Sequence, residues 1–396
     1  MEEKKERICK WVQAHEEELL HLSHEIHDHP ELGFQEHQAA KWQTELLKKY
    51  GFTVEQPYAG METAYKATFP GKGKGPTVAI LAEYDALPGV GHGCGHNIIA
   101  TAAVGAGLAL AQLMPELDGN LVVLGTPAEE GGGGKILMVE RHVFDDIDYA
   151  MMIHPSTQNL ICRGGLASTS FKAEYFGKAA HSSDPSTGVN ALQGVINLFN
   201  AIDVSRQTWK SDARISGIIT SGGKASNVIP DYAACEFTVR AKTIAYLKKM
   251  VEDLKRIART SADMIGATVK IGQDHAPYAE RYPNHVMGET FKKNMAQLGI
   301  EMHYPDPRKP VGSSDIGNVS MVVPAIHEYL AIAAPSVNSH TVEFREAAGS
   351  PQGDRAALLG AQGLAMTALD IFTDSALRQE IHKEFAATVP HQETAG

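Results

Sequence analysis

The sequence predicts an α/β chain interrupted by an inserted α+β domain of ferredoxin-like order. Three observations carry this reading. Strand-like apolar runs alternate with helical runs over residues 1–166, and the same alternation resumes over 279–396, as in a sheet covered on both faces. Between 167 and 278 the order changes to β-α-β-β-α-β, with strands that alternate apolar and polar residues. Residues able to bind a metal fall where strand-like runs end, and open α/β sheets place their sites at that edge.

Taken in order, residues 4–28 read as a helix, with Ile8, Trp11, Val12 and Leu19 at helical spacing and His29-Pro30 as the stop. A second helix runs over 36–50, with Gly51 as its C-cap. Strands follow at 63–69 and 77–82. A small-residue run over 98–114 reads as a buried helix, because it is too short and too often broken by polar residues to span a bilayer. A strand at 120–126, a short helix at 135–144 and a strand at 149–153 complete the first segment. In the insertion, Phe171, Ala173 and Tyr175 alternate with Lys172 and Glu174. A helix at 190–202, strands at 214–220 and 235–240, a helix at 244–265 and a strand at 268–271 follow. Leu247, Met250, Val251, Leu254 and Ile257 form one apolar stripe on the second of these helices. The second segment reads as a helix at 286–298, a strand at 325–332 and a long helix at 354–372.

The totals exclude several classes. With 36 basic against 47 acidic residues the net charge is −11, which argues against nucleic acid or an anionic membrane as partner. The charged start, Met1-Glu2-Glu3-Lys4-Lys5, lacks the apolar core of a signal peptide. Four widely spaced cysteines, Cys9, Cys94, Cys162 and Cys235, form no disulfide framework and suit a reducing, cytoplasmic compartment.

The chemistry concentrates in Gly91-His92-Gly93-Cys94-Gly95-His96-Asn97, two imidazoles and a thiol separated by glycines, between the strand ending in Glu83-Tyr84-Asp85 and the buried helix. Thiolate with imidazole is a zinc-like ligand set. Glu129-Glu130 follows an apolar strand and precedes Gly131 to Gly134, and paired carboxylates there suit one ligand and one base. His154 ends the apolar run Met151-Met152-Ile153, and His340 lies in a polar loop after a strand. His181 stands in Gly177-Lys178-Ala179-Ala180-His181, inside the insertion. Singly, each histidine would pass as an ordinary core or surface residue.

Together these stretches resemble the zinc aminoacylase and carboxypeptidase G superfamily of two-metal metallopeptidases. The similarity is greatest to the branch containing hippurate hydrolase, auxin-conjugate amidohydrolases and aminobenzoyl-glutamate hydrolase. It rests on Asp85-Ala86-Leu87-Pro88, Cys94-Gly95-His96, Glu129-Glu130, Ile153-His154-Pro155, Gly177 to His181, Asn227-Val228-Ile229-Pro230 and Ser339-His340, in that order. The resemblance implies a phosphorylase/hydrolase-like catalytic domain with the insertion as a lid and dimerisation domain. It implies two divalent ions about 3.5–4 Å apart, held by Cys94, His96, Glu130, His154 and His340. Zinc is the first expectation, with manganese or cobalt as alternatives. Glu129 would be the general base, Asp85 would orient a ligating imidazole, and His181 and Asn227 would contact substrate.

Arg240, on the polar face of an inserted strand, is a further candidate for a substrate carboxylate. Asn97 and Ser313-Ser314-Asp315 resemble the aminobenzoyl-glutamate hydrolase subgroup, which adds Asp315 to the expected substrate-binding residues. The implied protein is a homodimeric or homotetrameric amidohydrolase of small N-acyl amino acids, aminobenzoyl-glutamate-like conjugates or dipeptides, bearing a carboxylate. Two readings stand beside it: a broader di- or oligopeptidase of the same mechanism, and a non-catalytic metal-binding scaffold. The neighbouring Glu129 and Glu130 argue against the scaffold, because a closed structural site needs no base.

Overall fold

The computed structural model describes residues 1–309 and 311–390; Pro310 and residues 391–396, the end of the expected second segment, lie outside the described residues. The chain divides into two compact units, Met1–Gly164 with the chain from Arg281 onward, and Gly165–Glu280.

The first unit is built on a six-stranded sheet. Its spatial order is Thr53–Glu55, Tyr65–Pro70, Asp118–Gly125, Gly73–Ala82, Tyr149–Ser156 and Ala325–Ala331. The first two pairings are antiparallel and the remaining three are parallel. Four strands therefore end at the same edge, and Glu83, Asp85, Glu129, Glu130 and His154 sit at or just beyond those ends. The parallel strands are buried on both faces, which is why they read as continuous apolar runs rather than alternating ones.

The helix His96–Ala111 lies in the middle of the unit, and every one of its residues is buried. Its small residues let neighbours approach closely. A Cβ at Gly105 would come within 3.0 Å of the Ala361 Cβ, and one at Gly107 would overlap Val123. The helix Pro351–Thr373 packs beside it; by length and composition that helix could cross a membrane, yet 78% of its most apolar window is buried in the protein. Residues 4–28 are two helices, Glu2–Ala14 and Glu16–Asp28, rather than one. The junction is His15, whose ring stacks on Trp11 and whose Nδ1 lies 2.8 Å from the Trp11 carbonyl oxygen. The Trp11 carbonyl thus accepts from the His15 amide at 3.1 Å as well as meeting its side chain, and His15 itself leaves helical geometry with φ −114 and ψ 17. Three helices were not predicted: Ile316–Ser320 and Val342–Ala348, which are short, and Ser375–Thr388, which buries only Ile381 and so shows little apolar periodicity.

The second unit is a four-stranded antiparallel sheet in the order Thr268–Gly272, Ala167–Phe176, Tyr232–Ala241 and Arg214–Ser221. The helices Ala191–Ser205 and Ile244–Asp263 cover one face. Phe171, Tyr175, Leu198, Phe237 and Leu254 fill the space between. Asn190 and Thr243 cap the two helices with side-chain oxygens, as their residue types favour. A separate two-stranded ribbon pairs Ala180–His181 with Val228–Ile229.

Gly107→Ala is expected to destabilise the first unit by about 1–3 kcal/mol, the usual cost of overpacking. Denaturant midpoints of the two proteins check this; an unchanged midpoint would mean that the helix can move away from Val123.

Candidate metal centre

The edge of the sheet owes its geometry to a few constrained residues. Gly95 has φ +72, and a Cβ there would come within 2.6 Å of Pro155. Only glycine fits, and this turn starts the buried helix at His96 while holding Cys94 one residue before it. Gly134 is equally required, because a Cβ would strike the Pro127 carbonyl oxygen. Two non-glycine residues at the site, Ala128 (φ 59) and His340 (φ 66), also adopt left-handed backbone. Such strain persists only where surroundings impose it. Buried Glu36 accepts from the Ala128 amide at 2.8 Å and from the Thr63 hydroxyl at 2.9 Å. The His340 amide donates to the Gly93 carbonyl at 2.9 Å, tying its loop to the cysteine turn.

Three groups of ligand-type side chains converge here: Glu83, His96 and His154; Cys94, Glu130 and His340; and His96, Glu129 and Glu130. Within each group the candidate donor atoms lie within 4.8 Å of one another. The third group joins the other two through His96 and Glu130. His96 Nδ1 lies 3.1 Å from Asp85 Oδ1, and Asp85 Oδ2 accepts from the Glu130 amide at 2.9 Å. Asp85 thus fixes one ligand ring and the strand end that carries the glutamates. His154 Nδ1 lies 2.7 Å from the Pro155 carbonyl oxygen, so its Nε2 is left to face the cluster. Carbonyl or carboxylate partners of this kind orient ligating imidazoles.

The donor set fits divalent cations. His96 Nε2 lies 3.5 Å from Glu83 Oε2 and 3.7 Å from Glu130 Oε1. All three atoms are buried, and among the described residues none has a hydrogen-bond partner. Buried lone pairs turned towards one another need a positive charge between them. The electrostatics agree. Burial opposes charge on His96, but Asp85, Glu83 and Glu130 outweigh it and raise the imidazole to about 10, so that without an ion a proton on His96 supplies the positive charge that an ion would replace. Burial and neighbouring His96 hold His154 down to about 4, leaving it a neutral ligand. Burial, reinforced by Glu130, pushes the Cys94 thiol well up, so a cation is required to draw out the thiolate. Burial and adjacent Glu130 also hold Glu129 well above the usual carboxylate range. His340 is the exposed member, with Nε2 3.8 Å from Glu130 Oε2, and it marks the open side of the cluster.

The structure therefore brings Asp85, Cys94, His96, Glu129, Glu130, His154 and His340 together. Asp315 requires a correction. It was expected to meet substrate, but it is fully buried and both its oxygens engage Lys135, one through the backbone amide at 2.9 Å and the other through Nζ at 2.7 Å. Sequence reasoning missed Glu83, which marks only the end of a strand there, and Lys135, which marks only the start of a helix. A carboxylate one step past a fully apolar strand and two before Asp85 was the available signal.

In the second unit, His181 is exposed, with Nδ1 2.7 Å from the Ser183 hydroxyl. Asn227 lies at the start of the facing strand, and its carbonyl accepts from the Ser182 amide at 3.0 Å. The ribbon thus holds His181 and Asn227 side by side. Arg240 sits on the sheet face opposite the helices, aligned with Ser168 and Arg214, and burial lowers its pKa.

Residues 79–346 match the sequence profile described as peptidase family M20/M25/M40. The chain is 36% identical to the Xaa-Arg dipeptidase of Mus musculus, across 98% of this chain and 94% of that one. It is 26% identical to one of the subunits of the p-aminobenzoyl-glutamate hydrolase of Escherichia coli, across 94% of this chain and 93% of that one. Among solved structures, a Bacillus subtilis protein described as a dinuclear metal binding peptidase from the M20 family superposes with a TM-score of 0.69 at 21% identity, covering 91% of this chain and 99% of that one.

Removing divalent ions is expected to lower stability in a concentration-dependent way. An ion at about 100 times its Kd adds about 2.7 kcal/mol if it binds only the folded state. Thermal unfolding with chelator and with graded zinc, manganese or cobalt checks this, and a Tm that ignores every ion would oppose the assignment.

Proposed function

The chain belongs to peptidase family M20/M25/M40 and is a hydrolase of amide or peptide bonds, and from that premise we propose that it uses two divalent ions to cleave small dipeptides or N-acyl amino acids with a free carboxylate. The observation that carries the proposal is the joining of two ligand groups through His96 and Glu130, with Glu129 beside them. One group offers imidazoles and a carboxylate, the other a thiol, a carboxylate and an imidazole. The thiol favours zinc, and manganese or cobalt fits the oxygen-rich remainder. When bound, the ions supply Lewis acidity, polarising the amide carbonyl and making water nucleophilic near neutral pH.

The protein's own residues divide the remaining work. Cys94, Glu130 and His340 hold one side of the centre, and His96 and His154 hold the other. Asp85 keeps His96 in the tautomer that presents Nε2. Glu129 lies with His96 and Glu130 in one cluster, and with bound cations offsetting the negative charge around it, it would accept the proton of the attacking water and return it to the leaving nitrogen. A scaffold would have no use for a carboxyl so placed. His181, Asn227 and Arg240 are assigned to substrate contact in the second unit. The juxtaposition of His181 and Asn227 on one ribbon supports that assignment. A cytoplasmic location suits the requirement for a reduced Cys94.

A panel of Xaa-Arg and other dipeptides, longer peptides, N-acyl amino acids and aminobenzoyl-glutamate tests the substrate class, with each metal in turn. Preference for peptides longer than two residues would favour the oligopeptidase reading. Glu129→Gln should lower turnover on the best substrate by about 10²–10⁴-fold with metal content unchanged, while Glu130→Gln should lower metal occupancy. The assignment is falsified if Glu129→Gln keeps near-wild-type turnover.

The proposal extends to a homodimer or homotetramer formed through the second unit. Its sheet ends at the strand Arg214–Ser221, where Ile218 is 65% exposed and Ile219 46% exposed. An apolar edge strand is a surface that proteins normally pair or cover. Sedimentation at micromolar concentration should show an oligomer that Ile218→Lys weakens; a wild-type monomer would remove this part of the proposal.

A further inference from the structure

The pair Glu83 and Lys135 is built into the centre without a role in the mechanism above. Glu83 has no exposed surface, and its two oxygens face different ways. Oε1 forms an ion pair with Lys135 Nζ at 2.6 Å, while Oε2 has no such cation and faces His96 Nε2 at 3.5 Å; among the described residues neither oxygen accepts a well-formed hydrogen bond. Lys135 is also fully buried and cannot turn away. Its Nζ is shared with Asp315 at 2.7 Å, its amide is held by the other Asp315 oxygen, and it stands in the first turn after the constrained Gly134. The lysine consumes one Glu83 oxygen and aims the other at the space between His96 and His154.

We propose that Glu83 is a sixth protein ligand, giving Oε2 alone to the ion held by His96 and His154, and that Lys135 is the positioning residue that keeps it single-handed. The inference rests on the two-metal reading. It accounts for the pairing of a buried lysine with a carboxylate that also belongs to a ligand group. Without Lys135, Glu83 could offer both oxygens to the ion and crowd the position needed by water or substrate. With it, the carboxylate contributes charge and one bond, and the ion keeps an open face. Asp315 is the anchor of this arrangement.

The test measures metal binding directly. Wild type, Glu83→Gln and Lys135→Met are stripped, checked for native circular dichroism, and titrated with zinc against a competing chelator. Glu83→Gln strands no buried charge, because Lys135 keeps Asp315. It should weaken one of the two ions by more than the about 10–100-fold that loss of a merely outer-shell partner causes, and leave the other unchanged. Cys94→Ser should weaken the opposite ion. Lys135→Met should keep both ions but alter the visible absorption of the cobalt-loaded protein, because Glu83 then offers a second oxygen; a lysine that merely fills space would leave that spectrum as in wild type. A Glu83→Gln protein that binds both ions as wild type does would overturn the proposal. If Glu83→Gln fails to fold, the triple variant Glu83→Gln/Lys135→Met/Asp315→Asn, which removes the three mutually paired buried charges together, is titrated in its place and judged by the same criterion. A wild-type protein that binds fewer than two ions would instead sink the two-metal reading, so the two failures are distinguishable.

Discussion

Concentrated buried negative charge is the constraint on which the rest of this structure depends. Glu83, Asp85, Glu129 and Asp315 are nearly or fully removed from solvent, and Glu130 joins them with a side chain that is 12% exposed. One buried ammonium, Lys135, pairs with two of them. Ionised carboxylates packed this way repel and lose hydration, and a fold tolerates them only with compensating positive charge. Part of that compensation is structural: Asp85 takes hydrogen bonds from the strand end, and the buried helix begins at His96, its positive end towards the acids. The remainder is what divalent ions would supply. The candidate metal centre is thus where buried carboxylates concentrate.

That imbalance explains the rigidity around it. Backbone strain at Ala128 and His340 would relax in a loosely held loop. Glu36 grips the Ala128 amide, and burial, with the charge of Asp85 as a second influence, raises Glu36 to about 7. Its bonds to Ala128 and Thr63 join three segments far apart in sequence. Candidate ligands separated by hundreds of residues then converge because each is fixed to its own strand end or turn, and not because any one loop gathers them.

Much of this was legible in the sequence, for definable reasons. The parallel strands appear as unbroken apolar runs, the inserted strands alternate, and Cys94-Gly95-His96 is a dense local motif. Those signals need only neighbours along the chain. Glu83, Glu36 and Lys135 were not legible, because each acts through partners distant in sequence: Glu83 through His96 and Lys135, Glu36 through Thr63 and Ala128, Lys135 through Asp315. A buried lysine within a short helix looks like a solvated one until its partners are known. Asp315 was misplaced for the same reason. Its polar neighbours Ser313 and Ser314 suggested a substrate loop, whereas its partner is 180 residues away. The break at His15 is a single residue out of helical geometry, beneath the resolution of a periodicity argument.

The insertion also follows from a local physical arrangement. A domain can be inserted at little cost to its host when the two chain crossings lie together, since the loop to be closed is then short whatever the insertion's length. Within the second unit, Ser168 and Tyr278 exchange backbone hydrogen bonds of 3.1 and 2.9 Å, so its two ends are already paired. Within the first unit the corresponding ends meet at one tyrosine. Arg281 Nη1 donates to Tyr329 Oη at 2.8 Å, and the Arg163 guanidinium lies 4.9 Å from the Tyr329 ring centroid. Tyr329 in turn packs 5.6 Å from the ring of His154. The chain therefore leaves and rejoins the first unit beside a candidate metal ligand, pinned by two arginines to the strand next to it. That placement ties both chain crossings to the most constrained part of the host. A substitution at Arg163, Arg281 or Tyr329 consequently acts on the His154 side of the centre as well as on the crossings themselves.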